Sequence, residues 1–157
     1  MNASAKAPRK FLVVVDKTPE CNVAIRFATR RAMATGGRVT LLCVAHHADF
    51  QQWRGVEEIM KDEAHQEAES LIYEAAKTVN EMSGIVCELI IADGRSMDAL
   101  MALLKSDSDI SILVLAASTA KEGPGPLVAT VATAGHYPIP VTIVPGSLSD
   151  AEIDALA

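Results

Sequence analysis

The segment KFLVVVDKTPE, residues 10–20, decides the fold of this chain. Its residues 11–15 are all apolar, and three of them are β-branched. A strand without a polar face is typical of a parallel sheet that is covered by helices on both sides. Asp16 ends the apolar run, and the spacing then predicts Thr18 as a helix N-cap with Pro19 in the first helical position. The segment therefore predicts a buried strand that passes directly into a helix.

Asp16, Lys17 and Thr18 form the predicted turn between this strand and this helix. Open α/β sheets bind ligands at the carboxyl ends of their strands, so these three residues are the first candidates for a binding site. The alternative is that Asp16 only orders the turn by accepting hydrogen bonds from nearby groups. Spacing alone leaves both interpretations open.

The same alternation of strand and helix continues along the chain. Apolar runs predict further strands at 38–45, 85–92, 110–117 and 140–144. Periodicity and caps, Ser96 among them, predict helices at 18–35, 56–82, 96–104 and 127–134, with 149–156 as a short helix or a frayed tail. The third strand alternates more than the others, which suits an edge. The fold class is therefore α/β, an open five-stranded parallel sheet with helices on both faces.

Length and charge limit the possible functions. The 157 residues suit one domain, which we expect over 10–146, with a disordered tail at 1–9 and a tail or short helix at 147–157. A net charge of −6 without a basic run argues against nucleic acid as a partner. Because no apolar run is long enough for a signal or membrane segment, we expect a cytoplasmic protein that does not bind membranes.

The cysteines and histidines predict neither a disulfide nor a metal site. Cys21, Cys43 and Cys87 are odd in number and widely spaced, as expected of reduced thiols. Cys21 has a second interpretation, because a thiol in the first turn of a helix can have a lowered pKa. The sequence H-H-x-D at 46–49 offers ligand types for a metal, but adjacent loop histidines are more often solvated, and nothing in the sequence brings His136 close to them.

The predicted turns at the carboxyl ends of the strands combine cations, hydroxyl groups and glycines, which is the chemistry that holds a phosphate. They contain the sets 16–18, 45–47, 93–95 and 118–125. Pro124 and Pro126 weaken a cradle of backbone amides, since proline has no N–H to donate. Neither G-x-x-x-x-G-K-[ST] nor G-x-G-x-x-G occurs, so neither common nucleotide fingerprint is satisfied.

Four motifs resemble the universal stress protein family over residues 9–146. The segment VDKTPEC at 15–21 is similar to that family's V-D-x-S-x-x-S, and GRVTLLCV at 37–44 resembles G-A-x-L-x-L-L-H-V. Gly94 with Ala99 and Leu100 resembles G-x-P-x-x-x-I. The segment PIPVTIVP at 138–145 resembles the closing P-C-P-V-L-V-V-P.

The resemblance implies a flavodoxin-like sheet of order 3-2-1-4-5, related to the Rossmann fold, and a homodimer formed through the fifth strand. The implied interface consists of Pro140, Val141, Thr142, Ile143 and Val144. In the ATP-binding branch the resemblance also implies ATP or AMP between the first strand and the loop after the fourth. The candidate nucleotide contacts are Val15, Asp16, Thr18, Val44, Gly94, Ser118, Thr119, Lys121, Gly123 and Gly125.

The chain departs from the nucleotide-binding branch in the loop after the fourth strand. That branch has G-x-x-G, nine residues and G-[ST], whereas Leu127 and Val128 occupy the final pair here and Ala117 stands at or near the first glycine. Branched side chains keep the backbone from approaching a phosphate as closely as glycine allows. The sequence thus predicts a dimeric stress-response or regulatory module with a degenerate nucleotide motif; the alternative is an ATP- or AMP-binding protein.

The sequence also favours a binding protein over an enzyme. Neither G-x-S-x-G nor H-E-x-x-H occurs, so the usual signatures of a serine hydrolase or a zinc protease are absent. Weak hydrolysis of a bound nucleotide by Asp16, with Lys121 on the phosphate, is the alternative.

Overall fold

The structure is a computed structural model that describes residues 7–46, 54–134 and 137–157, except for the side chains of 54–58. Within the predicted tail 1–9, residues 7–9 have no regular structure and the rest lies outside the described residues. Of the residues considered for a metal site, the structure describes His46. The remaining three, His47, Asp49 and His136, lie outside the described residues. No helix in the described ranges has both the length and the apolarity to cross a bilayer.

The chain alternates strands and helices as predicted. In order they are β1(Lys10–Val15), α1(Cys21–Thr35), β2(Arg38–Ala45), α2(Arg54–Ser83), β3(Glu88–Asp93), α3(Ser96–Ser106), β4(Ile110–Ala117), α4(Pro126–Thr133), β5(Val141–Pro145) and α5(Asp150–Leu156). All strand pairs are parallel, and the sheet order is β3-β2-β1-β4-β5. The predicted fold class and strand order are confirmed, including the position of the third strand at an edge.

Strand β1 lies in the middle of the sheet, between β2 and β4. Phe11 and Val13 belong to the core cluster that contains the buried residues of α1 and α2, while Leu12 belongs to the cluster that contains those of α3 and α4. All three side chains are at most 1% exposed. The apolar run of β1 is continuous because each face of the strand contacts its own layer of helices.

The predicted N-cap at Thr18 is wrong. Helix α1 begins at Cys21 with Glu20 as its N-cap residue, and no side chain caps it. The Thr18 backbone N–H donates to Asp16 Oδ1 at 2.9 Å, and the Thr18 hydroxyl group donates to the same oxygen. Because Asp16 accepts from both groups, the side chain of Thr18 belongs to the turn and not to the helix end.

Three further boundaries differ from the prediction. Strand β3 begins at Glu88 instead of residue 85, and the side chain of Val86 before it is 86% exposed. Arg95, not Ser96, is the N-cap residue of α3, and it makes no side-chain cap. Pro140 precedes β5 and contributes only its carbonyl group, which accepts from the Leu113 N–H at 3.0 Å. A proline has no donor for the ladder, so the strand begins one residue later.

The C-terminal segment is a helix, one of the two predicted alternatives. Ser149 caps α5 by accepting from the Glu152 N–H at 3.2 Å, and the side chain of Ile153 is fully buried. Asp154 accepts hydrogen bonds from both Arg26 and Arg30 of α1, at distances between 2.7 and 3.1 Å. Helix α5 therefore packs against α1.

Ion pairs join the elements at the amino ends of the strands. The Lys10 ammonium group of β1 donates to Asp107 at 2.7 Å and to Glu88 of β3 at 3.3 Å. The hydrogen bond from Lys10 lowers the pKa of Asp107, and the hydrogen bond to Asp107 raises the pKa of Lys10. These ion pairs therefore connect β1 with β3 and with the segment before β4.

Candidate functional site

A cavity of about 720 Å³ opens at the carboxyl ends of β1, β2 and β4. The loop after β1 and the segment before α4 both line it, with Asp16 and Thr18 on one side and Gly125 on the other. Strand order places β1 beside both β2 and β4, so the loops that follow these strands meet around one hollow. The loop after β1 and the segment before α4 therefore face the same cavity, as the position implied by the family resemblance requires.

Most of the cavity wall is apolar. The sheet contributes Val14, Val44 and Leu115, and helices α1 and α2 contribute Ala24 and Leu71. Strands that are buried on both faces end in apolar residues, so the floor of the cavity continues the core. A flat apolar ring or an aliphatic group suits this wall better than a highly charged ligand.

The carboxylate group of Asp16 can order the turn with one oxygen and bind a ligand with the other. Its Oδ1 atom orders the turn by accepting from Thr18, which is the structural alternative raised by the sequence. The carboxylate group is exposed and lines the cavity. Its Oδ2 atom makes no hydrogen bond to any described residue, so it can accept one from a ligand.

Three backbone N–H groups of the loop after β4 donate hydrogen bonds within the loop. The Ser118 N–H donates to Pro124 at 3.0 Å, the Ala120 N–H donates to the Ser118 hydroxyl group at 3.1 Å, and the Gly123 N–H donates to Ala120 at 3.2 Å. Pro124 and Pro126 have no N–H. Three amides of this loop are therefore unavailable to a phosphate, and its two prolines offer none.

The structure gathers only some of the predicted nucleotide contacts. Val15, Asp16, Thr18, Val44 and Gly125 line the cavity. The lining does not include Gly94, Ser118, Thr119, Lys121 and Gly123.

Leu127 and Val128 occupy the end of α4 that faces the cavity. Both line it, and the side chain of Val128 is only 8% exposed. Gly125 precedes them with a φ of 101°, a conformation that favours glycine. The two branched side chains cover the start of α4, where the nucleotide-binding branch has glycine followed by a hydroxyl residue.

Polar pairs connect the elements around the mouth of the cavity. Lys17 of the loop after β1 forms an ion pair with Glu67 of α2. His46 Nε2 lies 3.0 Å from Ser96 Oγ, which joins the end of β2 to the start of α3. Arg95 also lines the cavity and makes no ion pair with any described residue. The mouth therefore has charged groups of both signs above an apolar floor.

Sequence reasoning missed the contribution of α2. Ala64, Glu67 and Leu71 all line the cavity, and they are spaced three and four residues apart on one face of that helix. Ala64 and Leu71 are apolar residues at helical spacing within the predicted helix 56–82, and this spacing could have identified Glu67 as a charged residue on the same face. The sequence alone did not show that this part of α2 reaches the loop after β1.

The cysteines that line the cavity are buried thiols. Burial raises the pKa of Cys21 and of Cys43 to about 11 each. The Cys21 thiol group donates to the Val14 carbonyl oxygen at 3.7 Å. The alternative of a reactive Cys21 with a lowered pKa is therefore wrong, because desolvation outweighs any effect of the helix end. Among the described residues, no three potential metal ligands lie together.

The family model described as the universal stress protein family matches residues 8–145. No curated protein matches the sequence. The three similar solved structures described below are each 19% identical to this chain, so their likeness concerns the fold.

Three of these structures illustrate the likeness. Universal stress protein UspA from Lactobacillus plantarum is 19% identical, with 88% of this chain and 98% of that chain covered and a TM-score of 0.75. A universal stress protein in complex with cAMP is 19% identical, with 90% and 99% covered and a TM-score of 0.62. A family protein from Arabidopsis thaliana with AMP bound is 19% identical, with 88% and 92% covered and a TM-score of 0.63.

Proposed function

Because this chain belongs to the universal stress protein family, we propose that it is a dimeric regulatory protein whose cavity binds adenosine and holds attached phosphates weakly. The observation that carries the proposal is the composition of the cavity. An apolar floor lies beside the free oxygen of Asp16, while three amides of the loop after β4 bond within that loop and its two prolines have no N–H.

The size and chemistry of the cavity support the adenosine part. Its volume of about 720 Å³ lies within the range of ligand pockets, roughly 300–1,000 Å³. Asp16 Oδ2 can accept from an exocyclic amino group or a ribose hydroxyl group. Val14, Val44 and Leu115 offer apolar surface to a purine ring. Two similar structures hold cAMP and AMP, which are ligands with a single phosphate.

The loop after β4 supports weak phosphate binding. Ser118, Ala120 and Gly123 use their N–H groups inside the loop, and the side chain of Leu127 lines the cavity where a glycine would let a phosphate approach. Each further phosphate then adds charge but meets fewer donors than a loop whose amides were all free would offer. Tight ATP binding is the alternative, and it requires this loop to rearrange.

Calorimetric titration with adenosine, AMP and ATP tests the binding proposal. We expect adenosine and AMP to bind with similar affinities and ATP to bind no more tightly than AMP. Asp16→Ala should weaken adenosine binding by about tenfold to a hundredfold, the effect of one hydrogen bond to a charged group. Ser147→Ala is the control, since Ser147 is exposed and does not line the cavity.

Two outcomes of this titration would contradict the proposal. If ATP binds at least tenfold more tightly than AMP, the phosphate subsite is intact and the alternative holds. If neither adenosine nor AMP binds at millimolar concentration, the cavity is not a nucleotide site. Phosphate release from ATP, measured with the same protein, separates binding from hydrolysis: equal slow release by the wild type and by Asp16→Ala removes the enzymatic alternative.

The composition of the β5 region supports the dimer. No Asp, Glu, Lys or Arg occurs from residue 123 to residue 149, although 22% of the chain is charged. Ile143 is 42% exposed on β5, an edge strand. An uncharged edge lets two copies of a chain with a net charge of −6 approach each other without local repulsion. We propose that a second copy pairs with this edge.

A further inference from the structure

The ion pair between Lys17 and Glu67 crosses the mouth of the cavity. Lys17 follows Asp16 directly in the loop after β1, whereas Glu67 lies in the middle of α2. Both residues line the cavity, and their side chains are 64% and 53% exposed. A ligand that enters the cavity therefore meets a cation that already has a carboxylate partner.

Lys17 is the cation best placed for a phosphate on a ligand bound at Asp16. Lys121, the cation of the loop after β4, does not line the cavity. Arg95 lines it from the far side of β2, because β3 and β1 lie on opposite sides of that strand. The proposed adenosine contact and the ammonium group of Lys17 thus belong to one short turn.

We propose that Glu67 is an internal anion that competes with the ligand's phosphate for Lys17, so that the cavity gains little from a phosphate. This inference rests on the proposed adenosine site. A phosphate that binds Lys17 must displace the carboxylate group of Glu67, so one ion pair replaces another. The displaced carboxylate group then lies close to the phosphate and repels it. Such a built-in competing charge lowers the preference for nucleotides over nucleosides.

The ratio of AMP affinity to adenosine affinity tests this competition. In Glu67→Gln we expect the ratio to rise by about threefold to tenfold, the effect of one charge at an exposed site. In Lys17→Met the ratio should fall below that of the wild type. Glu69→Gln is the matched control, because it removes the same charge from an exposed position of α2 that does not line the cavity. Its ratio should equal that of the wild type.

Salt concentration provides a second measurement. The gain in Glu67→Gln should shrink as NaCl rises from about 0.05 M to 0.5 M, because screening weakens exposed charges. A gain that does not change with salt would mean that Glu67→Gln acts through the shape of the cavity, which would overturn the inference.

The outcomes separate this inference from the proposed function. If adenosine binds and the ratio in Glu67→Gln equals that of Glu69→Gln, only the competition is wrong. If no variant binds adenosine or AMP, the adenosine site and the competition are both wrong.

Discussion

At the scale of single residues, Thr40 is the feature of the described core that is not satisfied. It is fully buried in β2, and its hydroxyl group has no hydrogen-bond partner. Thr29 is equally buried in α1, but its hydroxyl group donates to the Ile25 carbonyl oxygen at 2.7 Å. A buried hydroxyl group without a partner loses its hydration and gains nothing in return.

We therefore expect Thr40→Val to stabilise the protein by about 1 kcal/mol, because valine has the same shape without the unsatisfied group. Urea unfolding followed by circular dichroism measures this difference. Thr29→Val is the control, and it should not stabilise, since it removes a hydroxyl group that has a partner. A loss of stability in Thr40→Val would mean that its hydroxyl group has a partner after all.

The position of some functional residues could be predicted from the sequence, but their contacts could not. Asp16 could be predicted at the carboxyl end of β1, because a continuous apolar run ends there. The hydrogen bonds from Thr18 to Asp16 could not be predicted, since capping a helix and ordering a turn use the same residue types at the same spacing. Glu67 was missed for a different reason: its role depends on how α2 packs, which a helical pattern does not give.

At the scale of elements, the five strands could be predicted because each is an apolar run that ends at a turn residue. The start of a strand could not be predicted where apolar residues continue beyond it, as at residues 85–87, which are apolar but lie outside β3. The loop after β4 could be recognised as a departure from the family motif. Its closed hydrogen bonds could not be foreseen, since they depend on Ser118 meeting Pro124 in three dimensions.

Helix α5 depends on Asp154 for its attachment to α1. Arg26 and Arg30 lower the pKa of Asp154 from its ordinary value of 3.8, with Arg26 as the larger cause. A carboxylate group whose pKa is lower in the folded state contributes stability above its unfolded pKa and loses it as the pH falls through the folded value. The contribution is therefore present at neutral pH and disappears in acid.

We expect Asp154→Ala to release α5 at pH 7, so that amide hydrogen exchange in residues 150–156 becomes faster. The difference from the wild type should disappear as the pH falls through the lowered pKa of Asp154, below which its carboxyl group is protonated in both states. Asp150→Ala is the comparison, because Asp150 is 80% exposed and lies 3.6 Å from Arg26 alone. Its effect should be smaller, and an equal effect would contradict the central role of Asp154.

At the scale of the whole molecule, the sheet has two open edges of different character. Strand β3 is partly protected by α2, and exposed charged or polar residues stand at its ends, whereas β5 lies in the uncharged stretch from 123 to 149. An unpaired edge strand offers free backbone groups to another chain. This difference in charge between the two edge strands is the reason that the proposed contact between copies uses β5.

We expect Ile143→Lys to convert a dimer into monomers or aggregates, because it places a charge in the centre of the proposed interface. Size-exclusion chromatography with light scattering measures the mass. Val86→Lys is the control, since it puts the same charge on an 86% exposed side chain beside the other edge. An unchanged mass in Ile143→Lys would count against β5 as the interface.

The bridge from Lys10 to Asp107 and Glu88 also has a consequence for protein engineering. It ties the strands together at the end opposite the cavity, and none of its three residues lines that cavity. Randomised loops inserted after β1 or β4 would leave this anchor intact. The domain is thus a scaffold in which new ligand specificities can be selected at one end while the other end preserves the fold.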